Sequence, residues 1–304
     1  MKIALDPYML RAKPLPEIIH LAGDLGYDYI ELSPRPDFIP FYVHPRADDD
    51  LVAKVASSLK ETGIRMASVL PLYRWAGPDE DDRRAAVGYW KRAIEVTAAL
   101  GCPVMNSEFN GSPEQPDRSE AIFWRSLEEL APWFEREGIA LNLEAHPNDF
   151  CERNDEAVDL VTAINLPWVN YLYCAPHTFH LDDGVGDVAK MLDYAAPKLR
   201  HVHVADSMNH RASSGLRFVV NPAGSTARVH QHLDIGQGDV DWDAFFGGLR
   251  RLCFDGIVTA CVFGNEERAL QSSADILTRI KAELVDPRTD QQTDRRGHSD
   301  AADR

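Results

Sequence analysis

The histidines and carboxylates of this chain are spaced to share faces. Asn106 and Glu108 stand two apart in PVMNSEF, and Asn142 and Glu144 do so in IALNLE, with His146 continuing that parity. His201 and His203 repeat the spacing in RHVHVAD. Residues two apart on a β-strand point the same way. The runs are otherwise apolar, and an inward polar group in an apolar core is costly unless it binds something. Carboxylates mixed with imidazoles suit a divalent cation, Mn²⁺ first, with Mg²⁺ or Zn²⁺ as alternatives. CAPHTFH adds His177 and His180, and RVHQHLDIGQGDVDW adds His230 and His232. Glu144, His177, His203 and His232 are the expected metal ligands. A Lewis acid so placed would polarise a ketone or aldehyde while a base removes a proton from the adjacent carbon. His146 is the expected base, and Glu108 the runner-up, since burial beside a metal tunes a carboxylate for proton transfer.

Other residues carry weaker signals. Tyr73 and Trp75 in PLYRWAGP follow a β-type run and offer either a sugar-stacking wall or rim packing. Asn106 and Asp206 are expected to contact substrate. His201 sits a layer deeper than His203 and reads as a core imidazole satisfied by its surroundings, and His20 as a surface or packing residue. Cys174 and Cys261 end strands and read as small buried hydrophobes rather than soft ligands. Asp6 and Glu31, near strand ends, serve substrate or structure.

Eight short apolar runs must position these groups: Lys2 to Pro7, Tyr29 to Ser33, Ile64 to Leu70, Pro103 to Phe109, Ile139 to Glu144, Val169 to Cys174, Arg200 to Asp206 and Gly256 to Val262. Amphipathic stretches such as LPEIIHLAGDL and RSEAIFWRSLEELAPWFEREG lie between them, with apolar residues recurring at three and four. Gly26, Gly63, Gly101 and Gly138 fall where a left-handed helix cap would precede the next strand. Eight strands alternating with helices predict an α/β fold, a (β/α)8 TIM barrel, with active-site groups at the C-terminal ends of the strands. No GxGxxG follows the first strand, against a dinucleotide-binding sheet. The reading is one barrel domain over residues 1–285 and a disordered tail over 286–304 that lacks apolar periodicity. The segment Ser207 to Asp241 is a long rim loop.

The chain has 304 residues, and 32 Lys+Arg against 48 Asp+Glu give a net charge of -16. That field repels phosphate backbones and anionic lipid, so neither nucleic acid nor membrane is an expected partner. No stretch is long enough to cross a bilayer, and Asp6 and Pro7 come before any signal-peptide core could form. Five cysteines without CxxC spacing fit reduced thiols in a cytoplasmic protein. Trp and Phe residues expected on rim loops would suit a partner surface, so an oligomer is expected.

LNLEAHP, HVHVAD and GQGDVDWDAFFGGL resemble the xylose-isomerase-like barrel superfamily of sugar isomerases and epimerases, from Lys2 to about Leu284. NSEFNG, APHTFH, RASSGLR and RVHQHLDIGQGDVDW resemble a narrower subgroup. It contains proteins of inositol catabolism and the α subunit of C-glycoside deglycosidases, which works with a small β subunit. The usual superfamily ligand set is Glu, Asp, His, Glu from strands five to eight. The resemblance carries this set onto Glu144 and His203 directly; its aspartate falls on Cys174 and its last glutamate near Cys261, with Glu266 further along. His146, His177 and His232 would rebuild the site. The resemblance implies a metal-dependent enzyme that takes a proton from beside the carbonyl of a keto-sugar. Its first form is a carbon–carbon lyase, cleaving a 3-oxo-C-glycoside by elimination. The alternatives are an isomerase or epimerase on an inositol-derived ketone or sugar, and a non-catalytic barrel serving as scaffold or binding subunit.

Overall fold

All eight apolar runs become strands, and they close into a barrel. The computed structural model describes residues 1–77, 79–181, 186–208 and 231–285. The expected tail, His230 and the RASSGLR stretch lie outside the described residues, as does the side chain of His180. The strands are β1 (Lys2–Leu5), β2 (Tyr29–Leu32), β3 (Arg65–Val69), β4 (Val104–Glu108), β5 (Ala140–Glu144), β6 (Val169–Cys174), β7 (Leu199–Val204) and β8 (Ile257–Ala260). They pair in sequence order, β8 returns to β1, and every pairing is parallel. Helices α1 (Leu15–Asp24), α2 (Asp49–Thr62), α3 (Glu80–Ala99), α4 (Pro116–Glu137) and α5 (Asn154–Ile164) cover the first half. α6 (Ala175–Leu181), α7 (Val188–Ala195), α8 (Trp242–Arg251) and α9 (Ala269–Leu284) complete the set.

Local chemistry sets the helix ends. Asp48 accepts from Leu51 N at 2.8 Å and starts α2, with Asp49 and Asp50 in the first turn where the helix dipole favours acids. Gly63 and Gly138 end α2 and α4 at φ +75 and +64, the left-handed conformation that penalises a Cβ. Among the described residues, no helix is long and apolar enough to cross a membrane.

Register then stacks the polar side chains. Asn106 pairs with Asn142 and Glu108 with Glu144 across β4 and β5, while Cys174 pairs with His203 across β6 and β7. Two register shifts interrupt the ladder, between Ile30 and Glu31 in β2 and between Tyr171 and Leu172 in β6. Such bulges re-aim the side chains that follow them, and here they precede Glu31 and Cys174.

The aromatic wall expected of Tyr73 and Trp75 is corrected. Both side chains are buried, at 1% and 0% exposure. Tyr73 packs edge-on to Tyr89 and Trp90, and Trp75 packs on Trp90 and Phe123, tying the β3 loop to α3 and α4. Ring–ring packing over apolar area won these residues from the barrel mouth.

Candidate metal centre

Glu31 is the hub of the deeper polar layer. Its Oε2 accepts from Asn106 Nδ2 at 2.6 Å and from Ser68 Oγ; its Oε1 lies 2.8 Å from His203 Nε2. Asn142 Nδ2 donates to Asn106 Oδ1 at 2.9 Å. His201 contacts Asn106 Nδ2 through Nδ1 at 3.0 Å and Thr259 Oγ1 through Nε2 at 2.7 Å. Burial pushes His201 down to about 3, so it stays neutral. It is the core imidazole the sequence suggested. Asn106 is corrected from substrate contact to network member: it is 0% exposed and does not line the cavity above.

Above this layer, donors from four parts of the chain converge. Glu144 Oε2 lies 3.5 Å from His203 Nδ1 and 3.5 Å from His177 Nδ1. His177 is carried in by α6, which begins directly after β6. His232 Nδ1 contacts the Cys261 carbonyl oxygen at 2.7 Å, leaving its Nε2 3.2 Å from His177 Nε2. A backbone carbonyl on one ring nitrogen fixes an imidazole so that the other can bind a metal. The stacked Phe263 ring, 4.4 Å between centroids and 9° from parallel, holds His232 flat.

Charge decides what this cluster wants. Burial opposes ionisation of Glu144 and Glu31, yet the neighbouring imidazoles hold both carboxyls below their ordinary range. Burial would likewise lower His203, but Glu31 and Glu144 outweigh it and raise His203 to about 10. Glu108 is pushed well up by burial and then by Asp149 and Glu144. Asp6 rises to about 7, through burial first and Glu31 second. Five carboxylates are buried here: Asp6, Glu31, Glu108, Glu144 and Asp149. Among the described residues, no lysine or arginine lines the cavity.

The residues present fit a divalent ion. Glu144 Oε2 is buried and receives no hydrogen bond, a state costly for a carboxylate oxygen without a cation. Two donors bound at their usual lengths to one ion stand about 3–4 Å apart, matching the 3.2 and 3.5 Å separations here. The cavity of about 40 Å³ has room for an ion and a few waters.

His146, Glu108 and Asp149 form a second group beside the first. His146 Nε2 lies 3.3 Å from Glu108 Oε1, and its Nδ1 lies 3.9 Å from Asp149 Oδ1. The His146 ring meets that of His177 edge-on at 4.6 Å. Tyr8, Leu70, Leu72 and Phe263 supply the apolar wall of the cavity. The structure thus brings Glu108, Glu144, His146, His177, His203 and His232 to one cavity. Asp6, left open by the sequence, joins them; Glu31, also left open, lies in the layer beneath against His203, and Asp149, beside His146, was missed.

Asp206 is also corrected. Its carboxylate accepts from the backbone nitrogens of Ser207, Gly236 and Val240 and from Trp242 Nε1, at 2.7 to 3.2 Å. Three of these four donors belong to the GQGDVDW segment and the fourth is the adjacent Ser207, so Asp206 organises a loop. Glu266, further along the chain, is half exposed and pairs with Arg11, away from the site.

Residues 19–280 match the xylose isomerase-like TIM barrel family. The chain belongs to that family. An inosose isomerase of Bacillus velezensis is 23% identical over 269 residues, covering 87% of this chain and 89% of the relative. Two solved structures share the fold of this xylose isomerase-like barrel. One is the 3-keto-D-glucoside 4-epimerase of E. coli, with TM-score 0.68 and 20% identity over 93% of this chain and 99% of that one. The other is an IOLI protein with a bound zinc atom, with TM-score 0.68, 19% identity and the same two coverages. Where the resemblance places the aspartate ligand this member of the family has Cys174, and near the place of the last glutamate it has Cys261, both fully buried.

Proposed function

We propose that this chain is a divalent-metal-dependent isomerase or epimerase of a keto-sugar or keto-inositol. The observation that carries the reading is one cavity holding two unlike groups. The first, Glu144 with His203 and His177, is built to hold a cation. The second, Glu108 with His146, is built to move a proton. The inosose isomerase and the 3-keto-D-glucoside 4-epimerase among the similar proteins support this class of substrate.

When bound, the divalent ion supplies Lewis-acid polarisation of a substrate carbonyl. His146 takes the proton from the adjacent carbon, and Glu108, 3.3 Å away, orients the ring and shares the charge it gains. Asp149 faces the other ring nitrogen and limits the ring's rotation. Tyr8 and Phe263 shield the exchanged proton from bulk water on the apolar side. Returning the proton to the same carbon on the opposite face gives an epimer. Returning it to the neighbouring carbon gives the isomer.

Removing that proton from a 3-oxo-C-glycoside would equally start an elimination, but the named relatives point to isomerisation. The test is proton exchange in D₂O, followed by NMR, on a keto-inositol, a keto-glucoside and a keto-C-glycoside. Metal-dependent deuterium entry beside the carbonyl, with an isomer or epimer formed, is the expected result. Release of a free aglycone would move the assignment to the lyase. Absence of exchange on all three substrates would remove the enzyme reading and favour a scaffold.

A further inference from the structure

We propose that Cys174 is a ligand of this centre, its Sγ entering as a thiolate, and that the site accordingly prefers zinc-like ions over manganese. The inference rests on the metal-dependent reading above and goes further by naming the donor that sets metal choice. Among the described residues, two donor groups share Cys174: Glu144 with Cys174 and His203, and Cys174 with His177 and His232. In each, the ligand atoms lie within 4.8 Å of one another, and all are buried. Cys174 is thus the common member of both halves of the cluster.

Its surroundings are not those of a packing cysteine. A thiol acting as a small hydrophobe would face apolar side chains, whereas Cys174 shares its donor groups with the Glu144 carboxylate and the imidazoles of His177, His203 and His232. Glu144 Oε2, in the same group, is buried, with the His177 and His203 ring nitrogens 3.5 Å away. The backbone at Cys174 is fixed: its carbonyl accepts from Thr178 Oγ1 at 3.0 Å, and the β6 register sets it opposite His203. Cys261 is placed differently. It enters neither donor group, and its carbonyl is occupied by His232 Nδ1.

Soft thiolate donors select zinc-like ions, whereas all-oxygen and carboxylate-rich sites suit manganese and magnesium. On binding, the thiol proton leaves to solvent and the sulfur lone pair forms the metal bond. No electron changes hands.

Cobalt(II) reports the donor set directly. The full chain, stripped of metal, is titrated with Co²⁺ as wild type, Cys174→Asp and Cys261→Ser, with zinc–manganese competition run alongside. The expected wild-type spectrum has visible ligand-field bands and a near-ultraviolet sulfur-to-cobalt band. Cys174→Asp should keep the ligand-field bands, lose the sulfur band and lower the preference for zinc by about tenfold or more. Cys261→Ser should keep both bands. Ligand-field bands without a sulfur band in the wild type would overturn the proposal even if Cys174→Asp fails to fold. A sulfur band lost only in Cys261→Ser would do the same. A wild-type protein that binds no cobalt would defeat the metal reading itself, a distinguishable failure.

Discussion

Glu31 Oε1 lies 2.8 Å from His203 Nε2, while His203 Nδ1 faces Glu144 Oε2 at 3.5 Å. A carboxylate behind a metal-facing imidazole fixes its tautomer and ring orientation, and it raises the basicity of the nitrogen that binds. Glu31 is itself pinned by Ser68 and Asn106. Glu31→Gln preserves volume but removes the charge behind His203. It should weaken zinc binding about 10–100-fold, read by competition against a chelator. Unchanged affinity would make Glu31 a fold residue only.

His146 separates proton transfer from metal binding. His146→Ala should lower turnover by about 10²–10⁴-fold while leaving metal content at the wild-type level. Glu108→Gln should do less, because the ring that takes the proton remains. Full turnover in His146→Ala would move the base to Glu108.

Trp75 distinguishes wall from core. Trp75→Ala should cost about 3–5 kcal/mol of stability, measured by denaturant unfolding, because it opens a cavity among Trp90, Phe123 and α4. Trp75→Phe, the milder change, should leave KM for the keto substrate unmoved. A tenfold rise in KM with unaltered stability would return Trp75 to the substrate.

Gly238 tests the loop-organising role of Asp206. A Cβ at Gly238 would stand 2.5 Å from Asp206 Oδ1 and 2.5 Å from the Ser207 carbonyl oxygen, with backbone on one side that cannot turn away. Gly238→Ala should therefore lower stability by about 1–3 kcal/mol, seen as a lower melting temperature. A neutral outcome would mean that the GQGDVDW turn yields more readily than its hydrogen bonds to Asp206 suggest.

The barrel was legible because apolar runs, 3.6-residue periodicity and capping glycines agreed along the chain. The site was legible where parity held: Asn106 with Glu108, and Asn142 with Glu144, stack as their two-residue spacing requires. It was left open at Glu31, which follows the register shift in β2. A bulge is invisible to parity counting. Tyr73, Trp75 and Asp206 failed for another reason. Their types suit a sugar site and a packed loop equally, and only their neighbours decide. Asp149 follows β5 in a turn, held by Asn110 N donating to Oδ2 at 2.6 Å, so strand logic did not reach it.

The most direct test of the account is the metal content of the purified, dialysed chain, measured by elemental analysis for wild type and Glu144→Gln. The account predicts about one tightly held divalent ion per wild-type chain and its loss in Glu144→Gln, with folding retained in both. A wild-type chain that is folded and active yet free of metal would contradict it, as would full occupancy in Glu144→Gln.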